Sequence, residues 1–214
     1  MRLVTFLLVS IFEWASLLIL TFSIFMFKIK DNRVNIVFSA ALLSMFSYII
    51  RDVANMTTIA PFLQLLIVFL IFWKLIRIPA IYAAIMASFG YICYVFIQIV
   101  IMMILNLMSQ FSIETLVFDY MMNYLTGSMA ACISLIISYF LVRNRLGFSF
   151  IPDHPVKIGL RGHGMFIIQF VLVAATLAML YFSSQQGFFQ WLFLAMAVIT
   201  GLSLYLLVRK ETGK

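Results

Sequence analysis

Charged residues are scarce in this chain. Only 10% of its 214 residues are Asp, Glu, Lys or Arg, whereas 65% are hydrophobic. Soluble domains carry about 25% charged residues, so a chain with so little charge cannot cover itself with polar surface in water. The composition therefore argues against a soluble domain and predicts an integral membrane protein whose solvent is lipid.

Cysteine and catalytic motifs are nearly absent as well. Cys93 and Cys132 both lie inside apolar runs, which favours buried thiols over a disulfide framework. The sequence lacks the H-E-x-x-H motif of metalloproteases and the G-x-S-x-G motif of serine hydrolases. His154 and His163 have only Asp153 as a nearby carboxylate, which specifies no metal site. We therefore expect a non-enzymatic protein without catalytic residues, metal or cofactor.

Apolar runs of membrane-spanning length account for most of the chain. A helix needs about 17 to 25 mainly apolar residues to cross the hydrocarbon core. Seven runs qualify: residues 3–27, 34–50, 59–76, 78–108, 115–142, 165–182 and 188–208. The first run is too long for a signal peptide and is interpreted as a retained helix. The predicted fold is an all-α integral membrane protein, a single polytopic domain over residues 1–214 with about seven spans. Six spans are the alternative, because the second and third runs are the weakest.

Basic residues are distributed asymmetrically between the connections. With seven spans, 12 of the 14 Lys and Arg residues lie on one side of the membrane, and only Arg2 and Arg51 lie on the other. Because basic residues in short loops are retained in the cytoplasm, the N-terminus is predicted outside and the C-terminus inside. This topology explains the net charge of +7, so no nucleic-acid partner is implied. The predicted location is the bacterial cell membrane, with lipid as a partner.

Polar residues recur in the predicted outer half of the spans. An ionisable group inside a span costs about 2.5 to 3.5 kcal/mol, so Glu13 is the clearest functional candidate. We predict an outward-facing polar cavity, with Glu13 paired to Arg51, formed by Glu13, Arg51, Asp52, Gln64, Gln98, Asn106, Asp119 and Asn123. The alternative is that these groups only join neighbouring helices through hydrogen bonds, at about 0.6 kcal/mol each.

Two groups of small residues admit similar alternatives. Gly90, beside Tyr91 and Tyr94, could mark a kink or a ligand-lining face, although close helix packing also explains it. Gly127 lies among Thr, Ser and Ala residues, a composition that helix packing explains adequately.

The longest connection, residues 143–164, is predicted to be a cytoplasmic basic loop between the fifth and sixth helices. It carries Arg143, Arg145, Lys157 and Arg161. Juxtamembrane basic residues gain about 1 kcal/mol each near an acidic leaflet, so the loop could contact anionic headgroups or a cytoplasmic partner. The alternative is a solvated loop that only sets topology.

Two stretches carry a family resemblance. Residues 51–98, RDVANMTTIAPFLQLLIVFLIFWKLIRIPAIYAAIMASFGYICYVFIQ, and GFSFIP at 147–152 resemble the multi-helix sensor region of GHKL-type histidine kinases of Firmicutes. These include the peptide-sensing kinases of the accessory-gene-regulator type. The resemblance implies six or seven helices, an outer pocket for a secreted peptide and a cytoplasmic kinase. The sequence contains neither a phosphoacceptor histidine segment nor an ATP-binding domain, so we expect a receptor part separate from its kinase, an accessory protein, or an immunity or export factor.

Two functional hypotheses follow. The first is a non-enzymatic sensor or accessory protein that binds a small or peptide ligand from the outer face and acts with a separate kinase or membrane partner. The second is a small-molecule transporter subunit that binds substrate and needs an energising partner. A homo-oligomer is compatible with either hypothesis.

Overall fold

The computed structural model describes residues 2–54, 60–109, 120–149 and 189–211, and within these ranges every regular element is helical. The helices are α1 (Arg2–Ile24), α2 (Arg33–Tyr48), α3 (Ala60–Leu70), α4 (Ala80–Ser109), α5 (Tyr120–Arg143) and α6 (Phe189–Glu211). The π-helical turns Ile49–Val53 and Ile71–Leu75 extend α2 and α3. The predicted all-α architecture is confirmed for this part of the chain.

Four helices are long and apolar enough to cross a membrane: Leu3–Ile24, Arg33–Val53, Ala80–Met108 and Met121–Arg143. They correspond to the first, second, fourth and fifth predicted spans, so the class of membrane protein is supported by the structure. The third predicted span is a shorter apolar helix, Ala60–Leu75. Residues 165–182, the sixth predicted span, lie outside the described residues, and α6 covers the seventh. The count of seven spans and the orientation remain predictions.

Helix α1 is the central helix of the described bundle. Successive side chains on a helix point about 100° apart, so a helix with one exposed face cannot bury five consecutive residues. Residues 20–24 are nevertheless all buried, and α1 packs against α2, α4 and α5. Helix α4 approaches α1 closely at Gly90, where an added Cβ would overlap the Thr21 side chain. The packing explanation for Gly90 therefore applies.

Helix α2 places its small polar residues inside and its large apolar residues outside. Ser39 and Ser44 are 1% and 0% exposed, and the Ser44 hydroxyl donates to the Leu7 carbonyl of α1 at 3.2 Å. Phe38 and Met45 are 56% and 60% exposed. Small residues allow helices in lipid to approach closely, while large apolar side chains are compatible with contact to acyl chains. This reversed pattern is expected of a membrane-embedded helix.

Three non-glycine residues in the left-handed region follow α1, α3 and α5: Met26, Arg77 and Arg145, at φ 53°, 62° and 53°. The left-handed residue turns the chain away from the helix and lets later amides bond the last carbonyls. After α1, for example, the Phe27 amide donates to the Phe22 carbonyl at 2.9 Å. Glycine usually occupies this position, so these helix ends carry no glycine signal in the sequence.

The segment after α5 folds back onto the end of α1. The Phe148 amide donates to the Ile24 carbonyl at 2.7 Å, and the Phe148 ring lies 6.0 and 6.4 Å from the rings of Phe25 and Phe89. We call this the Phe148 end of the bundle. Arg143 and Arg145 are exposed here, whereas Lys157 and Arg161 lie outside the described residues.

The contact at Gly90 predicts a stability difference between two glycines. Gly90→Ala is expected to lower the free energy of unfolding by about 1 to 3 kcal/mol, because the methyl group overpacks the α1–α4 contact. Gly201→Ala is the control: no atom of the described residues lies within 4 Å of its added Cβ, so higher helix propensity should leave stability unchanged or raise it by up to about 1 kcal/mol. Thermal unfolding of the detergent-purified variants measures both effects. Equal stability of the two variants would contradict the α1–α4 contact.

Candidate functional site

A cavity of about 400 Å³ lies between the helices at the end opposite Phe148. Its wall combines residues of α1, α2 with its π-helical turn, α3, α4 and α5. Small-molecule sites typically occupy about 300 to 1,000 Å³, so this polar cavity has the volume of a binding site.

One face of α1 forms the longest wall of the polar cavity. Phe6, Ser10, Glu13, Trp14 and Leu17 all line it, at the spacing of three and four residues that places side chains on one helix face. From Phe6 to Leu17 this wall extends about 16 Å at 1.5 Å per residue. Glu13 therefore lies well inside the bundle, near the middle of α1.

The Glu13 carboxylate occupies space that a side chain on α5 would fill. An added Cβ at Gly127 would overlap the carboxylate, so the glycine leaves room for the carboxylate against α5. Arg51 is close enough to act on the charge of Glu13. Within the described residues, however, the carboxylate forms neither a hydrogen bond nor the direct ion pair with Arg51 that the sequence predicted. Arg51 is exposed at the cavity mouth, whereas Glu13 is deeper and only partly exposed.

The mouth of the polar cavity is formed by a π-helical turn. Ile49–Val53 is wider than an α-helical turn and closes with a bond from the Ala54 amide to the Ile49 carbonyl at 2.8 Å. Arg51 and Asp52 lie on this turn, both exposed and both lining the cavity. Single π-helical turns within α-helices are frequent at functional sites, and this one places two opposite charges at the entrance.

Gln64 has a structural role that the sequence left open. It is 1% exposed, and its amide nitrogen donates to the Ser47 hydroxyl of α2 at 2.9 Å. This bond joins α3 to α2 beside the polar cavity. For Gln64, the interpretation as an interhelical hydrogen bond therefore applies even though the residue also lines the wall.

Aromatic side chains make up much of the remaining wall. Trp14, Tyr91 and Tyr94 line the polar cavity and are 7%, 8% and 7% exposed. The Tyr94 hydroxyl is buried and has no hydrogen-bond partner of acceptable geometry among the described residues. The hydroxyl of nearby Ser16 interacts with Tyr94 but donates its own proton to the Glu13 carbonyl at 2.7 Å. A buried hydroxyl without a partner is costly, and a ligand in the cavity could supply one.

The sequence prediction located most, but not all, of this wall. Six of the eight predicted residues line the polar cavity: Glu13, Arg51, Asp52, Gln64, Gln98 and Asn123. Asn106 lies eight residues beyond Gln98 on α4, outside the wall, and has an interaction of its own. Asp119 lies outside the described residues.

Several wall residues were missed by the sequence analysis. Ser10 and Trp14 were not predicted, although their spacing from Phe6 and Leu17 shows that they share one face of α1. Ser47 was missed because a serine is uncharged, and its low free-energy cost in an apolar helix does not identify it as a functional candidate. Spacing identifies residues on a shared face, but only the packing shows which neighbouring helices that face meets.

Comparison of the chain with protein-family models, with curated proteins and with solved structures finds no match. In the described ranges no three His, Cys, Asp or Glu side chains are grouped as a metal site would require. The function is therefore argued from the polar cavity itself, whose carboxylate, amides, hydroxyls and aromatic rings are groups suited to binding.

The Gln64–Ser47 bond predicts energetic coupling between α2 and α3. Ser47→Ala and Gln64→Leu are each expected to lower the free energy of unfolding, and the double variant should lose less than the sum. The coupling is expected at about 0.6 kcal/mol, and no more than about 1.7 kcal/mol, as for other interhelical hydrogen bonds in membranes. Unfolding of the four proteins in a double-mutant cycle measures it. Strict additivity would show that the bond contributes nothing.

Proposed function

We propose that this chain is a non-enzymatic protein of the bacterial cell membrane that binds a small or peptide ligand from the outer face and acts as a sensor or accessory module. The observation that carries the proposal is the convergence of Glu13, Gln98 and Asn123 with the exposed Arg51 and Asp52 on one cavity. Polar groups in lipid-spanning helices are costly, and the Gln64–Ser47 bond provides a partner for none of these five residues. A polar ligand gives Glu13, Gln98 and Asn123 partners.

The arrangement of α1 and α4 supports the sensor form of the proposal. Both helices line the polar cavity, at Glu13 and Tyr94 for example, and both reach the Phe148 end through Phe25 and Phe89. Phe148, which packs on both rings, belongs to the basic loop of residues 143–164. Ligand binding that shifts α1 against α4 would therefore alter the contacts of the Phe148 ring with Phe25 and Phe89. A separate kinase or another membrane partner would respond to that change at the basic loop.

The second candidate is a transporter subunit. It is favoured by the position of Glu13 near the middle of α1, since transporters place ionisable groups close to the bilayer midplane. Uptake that depends on a co-expressed ATPase would support this alternative. A transcriptional response that depends on a neighbouring kinase would support the sensor.

The ligand-binding proposal predicts stabilisation that depends on Glu13. Secreted peptides and small metabolites from the culture medium of the source cells are expected to raise the melting temperature of the detergent-purified protein. Glu13→Gln keeps the side-chain shape but removes the charge, and it should abolish the shift. Asp31→Asn removes one negative charge from an exposed turn that is not part of the cavity wall and should leave the shift intact. An undiminished shift in Glu13→Gln would rule out the polar cavity as the binding site.

The outward opening is tested by chemical labelling. Cys93 and Cys132 are first replaced by alanine, and a cysteine is then introduced at Asp52 or at Arg145, both of which are exposed. A membrane-impermeant thiol reagent added to intact cells is expected to label Asp52→Cys and to spare Arg145→Cys. Labelling after cell lysis, when both should react, is the control. The reverse pattern would place the mouth of the polar cavity in the cytoplasm.

A further inference from the structure

The charges of the polar cavity differ in depth. Arg51 and Asp52 are exposed neighbours at the mouth, where water screens them and their charges offset one another. Glu13 is the charged residue of the wall that lies deep, and its carboxylate has neither a hydrogen bond nor an ion pair within the described part of the chain. Counting Glu13 as ionised, the described part of the wall has one positive and two negative side chains, which is an excess of one negative charge. The deep part of the cavity therefore favours a positive group.

The surroundings of Glu13 match the chemistry of an ammonium group in particular. An ammonium has three N–H donors and needs acceptors around it. The Glu13 carboxylate, the Gln98 amide oxygen and the Tyr94 hydroxyl oxygen can accept, and all three side chains belong to the same wall. Tyr94 is independent support, because its buried hydroxyl has no hydrogen-bond partner of acceptable geometry among the described residues, and the nearby Ser16 hydroxyl donates its proton to the Glu13 backbone carbonyl instead. The rings of Trp14 and Tyr91 add aromatic surface of the kind that attracts cations.

The volume of the polar cavity limits the size of the ligand. Its volume of about 400 Å³ lies near the lower end of the range of about 300 to 1,000 Å³ that small-molecule sites occupy. That space suits a small amine or the amino end of a peptide, with the rest of the peptide outside the mouth.

We propose that the ligand class of this cavity is a primary amine, with its ammonium group at Glu13 and its remaining part directed toward Arg51 and Asp52. This inference rests on the proposed function, because it assumes that the cavity binds a ligand. It adds the chemical group that is recognised and the residues that recognise it.

Tryptophan fluorescence provides a direct readout of the cavity. The chain has three tryptophans, and Trp14 lines the polar cavity. Trp73→Phe and Trp191→Phe leave Trp14 as the single reporter. The purified protein is titrated with butylamine against 1-butanol and with leucinamide against 4-methylpentanamide. Each pair compares a primary amine with a neutral compound of similar size.

We expect at least one amine to bind about tenfold tighter than its neutral counterpart, a difference typical of one charge-assisted hydrogen bond. Glu13→Gln should abolish the preference. Arg51→Gln should strengthen amine binding severalfold, because it removes a positive charge that acts on the same site. An anionic ligand would show the opposite response to Arg51→Gln.

Gly127→Ala tests the position of the carboxylate without removing it. The added methyl group would displace the flexible end of the Glu13 side chain, so amine preference should fall while the melting temperature changes little. Gly201→Ala, with open space around its added Cβ, should keep the full preference.

The failures of the two proposals are distinguishable. If the neutral compounds bind as well as the amines, if amine preference persists in Glu13→Gln, or if no amine binds, the amine proposal is overturned. The ligand-binding proposal then still stands if components of the culture medium stabilise the protein in a manner that depends on Glu13. If those components also have no such effect, both proposals are wrong.

Discussion

Helix α1 leaves no face for lipid along residues 20–24, because α2, α4 and α5 enclose it. The same helix carries a carboxylate at Glu13. A charged group inside a membrane span has a high free-energy cost unless polar groups surround it. The polar cavity provides those surroundings with residues from five helices. Gly127 contributes by the absence of a side chain, which leaves room for the carboxylate against α5. Much of the site therefore follows from accommodating one acidic residue between packed helices.

The two ends of the bundle are joined by the pair α1 and α4. These helices approach closely at Thr21 and Gly90, between the polar cavity and the Phe148 end. Protein interiors are closely packed, so a displacement of one helix is transmitted to the helix packed against it. Phe25 directly follows α1 and Phe89 lies on α4, and both rings contact the Phe148 ring. This continuity supports a protein whose cavity and basic loop act together.

Part of the candidate site could be predicted because a polar side chain in an apolar span has a free-energy cost in lipid, which marks it as a functional candidate. Glu13, Gln98 and Asn123 were placed in the same half of the membrane by counting residues from the predicted connections, and they line one cavity. The same count included Asn106, which lies on α4 but outside the wall. Asn106 lies about 12 Å further along α4 than Gln98 at 1.5 Å per residue, so lying in the same half of the membrane does not by itself bring residues to one cavity. Trp14 was missed because an aromatic side chain has no free-energy cost in lipid, so nothing in the sequence distinguishes it from lipid-facing neighbours.

By itself the sequence determined the class of protein, since 65% hydrophobic and 10% charged residues require lipid as solvent and backbone pairing in lipid requires helices. It also determined which residues are too polar for lipid. Only the tertiary structure decided that Gln64 bonds Ser47, that Gly127 receives the Glu13 carboxylate and that Arg51 remains at the mouth. The physical reason is that apolar helices can rotate and pair in many ways with similar exposure to lipid. Close packing between particular small residues selects one arrangement, and that arrangement determines which polar groups meet.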